Sequence, residues 1–135
     1  MSEKTFNADD KALPEVLAFV ENELEKASCP MKTAMSLTVA IEEIFVNVAH
    51  YAYPNGSGTA TLSIEHDCQK NRLIFRMTDS GIPFNPLAMP DPDVTLPASE
   101  RKIGGLGIFM MKKTMDEVFY ANENGENILT MIKNL

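Results

Sequence analysis

A dense breaker, Pro54-Asn55-Gly56-Ser57-Gly58, cuts the chain where its hydrophobic period changes. Proline lacks an amide donor and glycine is costly to order, so neither a helix nor a strand runs through this stretch. Upstream of it, Leu37, Ile41, Ile44, Phe45 and Val48 form an apolar stripe that predicts a helix from about Lys32 to Tyr51. Pro14 suits the first turn of an earlier helix, with Asp9 and Asp10 placed to complement its dipole. Val16, Phe19, Val20 and Leu24 follow at helical spacing, which predicts a helix from about Leu13 to Ala27, ended by Cys29-Pro30. A short strand or arm near Lys4–Asn7 precedes it.

Downstream of the breaker the period becomes two. Thr59–Glu65 alternates with Ala60, Leu62 and Ile64 on one face, and Leu73–Met77 is apolar and aromatic. Cys68-Gln69-Lys70-Asn71 between them reads as a hairpin turn. A third helix is expected from Ile108 to about Met115. A last hairpin pairs Glu117–Asn122 with Asn127–Ile132 around Asn124-Gly125. Between the two hairpins lies an irregular stretch holding Pro83, Pro86, Pro90, Pro92 and Pro97. A long irregular segment in a compact domain is usually a functional lid or a linker, and we read a lid over about residues 83–103. The order predicts an α+β domain with helices on one face of a mostly antiparallel mixed sheet.

At 135 residues the chain fits one domain, taken as 1–135, and its 44% hydrophobic and 23% charged residues suit a folded protein. A formal net charge of -7 argues against direct nucleic-acid binding, which needs a basic stripe. It leaves room for a small anionic ligand held by backbone N–H groups, a metal and a few local cations. Cys29 and Cys68 form no CxxC pair and read as idle reduced thiols. No apolar run reaches membrane-spanning length, and the N-terminus lacks an apolar signal core, so the expected location is the cytoplasm, away from membranes.

Three constellations can carry chemistry. Glu43 and Asn47 are four residues apart, on one face of the second helix. A carboxylate can accept a proton or orient a hydroxyl, and an amide oxygen is a hard ligand suited to Mg²⁺. A solvated Glu–Asn pair on a surface helix would look the same. The second is Asp79-Ser80-Gly81-Ile82-Pro83-Phe84-Asn85-Pro86, directly after an apolar strand. A carboxylate at the end of a buried strand is costly without a partner, and a purine amine would be one. Gly81 allows close backbone approach. The third is Gly104-Gly105-Leu106-Gly107 ahead of a helix, whose N-terminus can seat phosphate. It matches neither the P-loop nor the dinucleotide fingerprint.

Taken in order, the three resemble the N, G1 and G2 boxes of the GHKL ATPase superfamily, which includes gyrase, histidine kinases and mismatch-repair ATPases. Within it the chain is most similar to the small anti-sigma-factor serine/threonine protein kinases of bacterial sporulation and stress regulation. The resemblance covers about Phe6 to Lys133. It implies a Bergerat-type two-layer sandwich that binds ATP and Mg²⁺. In it Glu43 would be the general base, with Glu42 its neighbour and competitor, and Asn47 would hold the metal. Asp79 would accept from the adenine amine, with Gly81 beside the ring and Phe84 among the binding residues. Gly104, Gly105, Leu106 and Gly107 would surround the phosphates, Thr130 would lie near the adenine, and Lys102 or Arg101 would reach the terminal phosphate. The implied partners are an anti-anti-sigma (STAS) protein whose serine or threonine is phosphorylated, a sigma factor, and a second copy of the chain. These kinases often have a histidine four residues after the N-box asparagine, where this chain has Tyr51 preceded by His50. A catalytically inactive ATP-binding switch would leave nearly the same sequence. The methionines, Met110, Met111 and Met115 above all, fit either the core or an adaptable partner surface.

Overall fold

The computed structural model describes residues 1–88 and 105–135, and the side chains of 105 and 106 are not described. The chain begins with strand β1 (Ser2–Asn7). A 3₁₀ turn (Asp10–Ala12) leads into helix α1 (Leu13–Lys26), with Pro14 in its first turn. Asp9 caps the 3₁₀ turn rather than the helix, its side chain accepting the Lys11 N–H at 2.9 Å. Ser28 turns the chain at φ 54° before Pro30, and helix α2 follows (Met31–Tyr51).

Strands β2 (Thr59–Asp67) and β3 (Arg72–Asp79) then pair as a hairpin. Its turn is held by Asp67, whose Oδ1 accepts from the Gln69 and Lys70 N–H groups, both at 3.1 Å, and by Asn71 at φ 51°. After a 3₁₀ turn at Pro86–Ala88 and the undescribed stretch comes helix α3 (Gly105–Thr114). Strands β4 (Glu117–Glu123) and β5 (Glu126–Asn134) close the chain. Asn124 and Gly125, at φ 54° and 78°, form the two-residue turn that Asn-Gly favours because both positions need positive φ.

The strands form one sheet in the order β1-β2-β3-β5-β4. All four pairings are antiparallel, so the described sheet is more uniform than the mixed sheet expected from the sequence. Its inner face carries Leu62, Phe75, Met77, Leu129 and Met131 into one core with Val16, Val20 and Leu24 of α1 and Leu37, Ile41 and Phe45 of α2. Phe6 of β1 sits edge-on to Phe19 and Phe45, with centroids 6.0 and 6.3 Å apart. This is a two-layer α+β architecture, as expected.

Met111 and Met115 belong to the core, whereas Met31 and Met35 of α2 are exposed. Both cysteines are free, and burial pushes the Cys29 thiol above its ordinary pKa. Among the described residues no helix is long and apolar enough to cross a membrane.

Candidate functional site

The site grows from one fact of register: Asp79, the last residue of β3, stands directly across from Asn127, the second residue of β5. Both side chains are buried on the inner face. A buried carboxylate needs donors. Asp79 Oδ1 receives two, the Gly81 N–H at 2.9 Å and Asn127 Nδ2 at 3.0 Å. No donor among the described residues is bonded to Asp79 Oδ2, so that oxygen is the acceptor left for a ligand. Asp79 lines a pocket floored by Ile44, Met77, Ile108 and Leu129. Asn47 and Val48 of α2 form one wall, and the exposed side chains of Tyr51, Ile82 and Phe84 stand at its rim.

Asn127 is the most heavily bonded side chain here. Its Nδ2 donates to Asp79 and to the Ile82 carbonyl at 2.9 Å. Its Oδ1 accepts from the Phe84 N–H at 3.3 Å, from Asn122 Nδ2 at 3.1 Å and from the Tyr120 hydroxyl. The amide thus ties β3, the turn after it and β4 to one point. Sequence reading missed both Asn127 and Tyr120. Thr130 was expected instead, but Asn127, Leu129 and Met131 face inward, so strand alternation puts Thr130 on the outer face, paired with Arg76 and Phe119. The structure does not bring Thr130 to the site.

Gly81 is packed closely against the end of α2. A Cβ there would lie 2.3 Å from the carbonyl oxygen of Ala52, just past the helix end, and the same carbonyl accepts the Ile82 N–H at 2.9 Å. The turn after β3 is thereby clamped to the end of α2.

On α2, Asn47 Nδ2 donates to the Glu43 carbonyl at 2.9 Å, which leaves Asn47 Oδ1 as the atom available to a cation. Glu43 lies one turn back, facing α3: a Cβ on Gly107 would sit 2.3 Å from Glu43 Oε2. That closeness attaches Glu43 to the glycine segment. The helix α3 begins at Gly105, three residues before the expected Ile108, so Gly105, Leu106 and Gly107 occupy its first turn instead of a preceding loop. Their N–H groups are among those a helix leaves without intrahelical partners. Gly104, Lys102 and Arg101 lie outside the described residues. His50 is turned away from the pocket and bonded through Nε2 to both oxygens of Asp10, at 2.8 and 2.9 Å. Among the described residues there is no group of three or more His, Cys, Asp or Glu placed to hold a metal.

The chain is similar to known proteins in sequence and in fold. The chain is 29% identical over 101 residues to "Serine-protein kinase RsbW" of Halalkalibacterium halodurans, covering 72% of this chain and 60% of that protein. It is 27% identical over 97 residues to the protein of the same name from Listeria monocytogenes, covering 69% of this chain and 61% of the relative. The match therefore spans about three fifths of these relatives. In fold it is similar to the histidine kinase domain of the blue-light activated histidine kinase from Erythrobacter litoralis EL346, with a TM-score of 0.61 at 13% identity, covering 91% of this chain and 59% of that one. The family model described as histidine kinase-like ATPase domain matches residues 6–133, and the chain belongs to that family.

Proposed function

We propose that the chain binds ATP with Mg²⁺ and transfers the terminal phosphoryl group to a serine or threonine of a partner protein, an anti-anti-sigma domain, as an anti-sigma regulatory factor. The observation that carries the reading is that Asp79 and Asn47, from sheet and helix, line one pocket. The donor set fits the groups in question. Asp79 Oδ2 offers an acceptor to the adenine amine. Asn47 Oδ1 is a hard oxygen, and Mg²⁺ is commonly held by one or two protein groups, with phosphates and waters completing its shell. When bound, ATP with Mg²⁺ supplies the phosphoryl group and part of its charge neutralisation. The chain's own part is positioning and proton handling. Glu43, held beside Gly107, would accept the proton of the attacking hydroxyl. The first-turn N–H groups of α3 would face the phosphates. Lys102 or Arg101 would add positive charge there, and a sigma factor and a second copy of the chain would be further partners. A cytoplasmic location suits these partners.

One observation favours a second reading, a switch that binds ATP without catalysis. Tyr51 occupies the pocket rim where these kinases often have histidine, and His50 is engaged with Asp10. The two readings separate by following labelled terminal phosphate from ATP onto a purified anti-anti-sigma domain. Wild type is expected to label the partner. Glu43→Gln should bind ATP within about threefold of wild type and transfer at least about a hundredfold more slowly. Tight ATP binding by wild type with no label on the partner would support the switch.

A further inference from the structure

Asn127 does not reach into the pocket with a spare atom. Both of its donors and its oxygen are committed within the protein. The orientation of the amide is set by main-chain partners, because the Ile82 carbonyl needs a donor and the Phe84 N–H needs an acceptor. Whatever Asn127 contributes to a ligand passes through Asp79 and through the rim segment that carries Ile82 and Phe84.

We propose that Asn127 is the positioning residue that makes this pocket select adenine over guanine nucleotides, an inference that rests on the ATP-binding reading above. Asn127 Nδ2 and the Gly81 N–H together engage Asp79 Oδ1 and lock the carboxylate plane. The locked group offers only an acceptor, Oδ2, to the pocket. A purine with an amine at its six position satisfies that acceptor. A purine with a carbonyl oxygen there sets acceptor against acceptor in a pocket lined mostly by apolar side chains, and such a mismatch is strongly rejected. Without the Asn127 donors the carboxylate keeps one N–H partner and can rotate, so that Oδ2 no longer faces the base in a fixed direction. The discrimination then weakens even where the pocket survives. Loss of the Ile82 and Phe84 bonds loosens the rim for both bases alike, so the ratio of affinities, rather than either affinity, reports on Asn127.

The test is calorimetric titration of the full chain with Mg²⁺ and either ATP or GTP, in wild type, Asn127→Ala, Asn127→Ser and Tyr120→Phe, with thermal unfolding as a check of folding. Wild type should favour ATP by about a hundredfold or more. In Asn127→Ala, or in Asn127→Ser if the alanine variant does not fold, that ratio should fall below about tenfold, with ATP weakened much more than GTP. Tyr120→Phe removes a bond to Asn127 Oδ1 but leaves both donors, so it should keep the wild-type ratio. Three results would overturn the inference alone: wild type binding both nucleotides equally, an Asn127 variant that keeps the wild-type ratio, or a ratio lost equally in Tyr120→Phe. Wild type binding neither nucleotide would instead remove the ATP-binding reading, and the inference with it.

Discussion

Gly81 and Gly107 are both pressed against α2, but by different atoms. At Gly81 an added Cβ meets backbone, the Ala52 carbonyl oxygen at 2.3 Å and carbonyl carbon at 2.7 Å. Neither can move without unseating the turn after β3 from the end of α2. Gly81→Ala is expected to destabilise the fold by roughly 1–3 kcal/mol, the usual range for forced overpacking. At Gly107 the nearest atom is Glu43 Oε2, the far end of a flexible side chain, although Glu43 Cβ at 3.1 Å is also close. Gly107 is helical, and replacing a helical glycine by alanine returns up to about 1 kcal/mol. Gly107→Ala should therefore cost less stability than Gly81→Ala while displacing the Glu43 carboxylate and slowing phosphoryl transfer. Urea unfolding of both variants, with transfer assayed alongside, reads the contrast. Equal losses of stability would mean that α2 and α3 are locked together more rigidly than a movable carboxylate allows.

Between elements, one hydroxyl joins three segments. Tyr53, just beyond α2, donates to the Thr59 carbonyl at 2.6 Å and accepts the Ser80 N–H at 2.9 Å, so it ties the helix end to the start of β2 and to the residue after Asp79. Tyr53→Phe should lower stability by about 0.5–1.5 kcal/mol, since water can replace the lost partners at these exposed positions. It should also weaken ATP binding, because Ser80 adjoins Asp79; unchanged affinity would show that the turn holds itself. Elements whose cause is local were legible in the sequence. Asn124-Gly125 announces its hairpin through backbone preference, and the stripe from Leu37 to Val48 announces α2 through burial. The start of α3 was not, because glycine's poor helix propensity argued for a loop while contact with α2 decided for a helix. The site was half legible: Asp79 and the Glu43–Asn47 pair stand out by type and spacing. Asn127 does not, because its meaning lies in register with a residue 48 positions away. Thr130 went astray for the same reason. In a strand an odd offset changes the face, and parity is unknown until a partner strand fixes it.

At the scale of the whole molecule, the pocket has one wall on α2 and the other on the sheet, so a ligand that touches both joins the two layers of the domain. Such a ligand binds the folded state and not the unfolded chain, and the stability it adds grows with the logarithm of its concentration over its dissociation constant. At about a hundredfold excess over that constant the gain is roughly 2.7 kcal/mol, which for a domain of this size corresponds to a rise in Tm on the order of 10 °C. The chain carries a net charge of -7, so a highly charged free nucleotide approaches against repulsion, and Mg²⁺ relieves part of it. The rise should therefore be larger for ATP with Mg²⁺ than without, and smallest for AMP, which lacks the β- and γ-phosphates that Asn47 and the first turn of α3 would serve. Asp79→Asn replaces the acceptor Oδ2 by an amide donor in a nearly unchanged volume, and should abolish the rise. A rise that is the same for AMP and ATP and indifferent to Mg²⁺ would leave an adenine pocket without a phosphate seat, and no rise with any nucleotide at millimolar concentration would sink the ATP-binding reading.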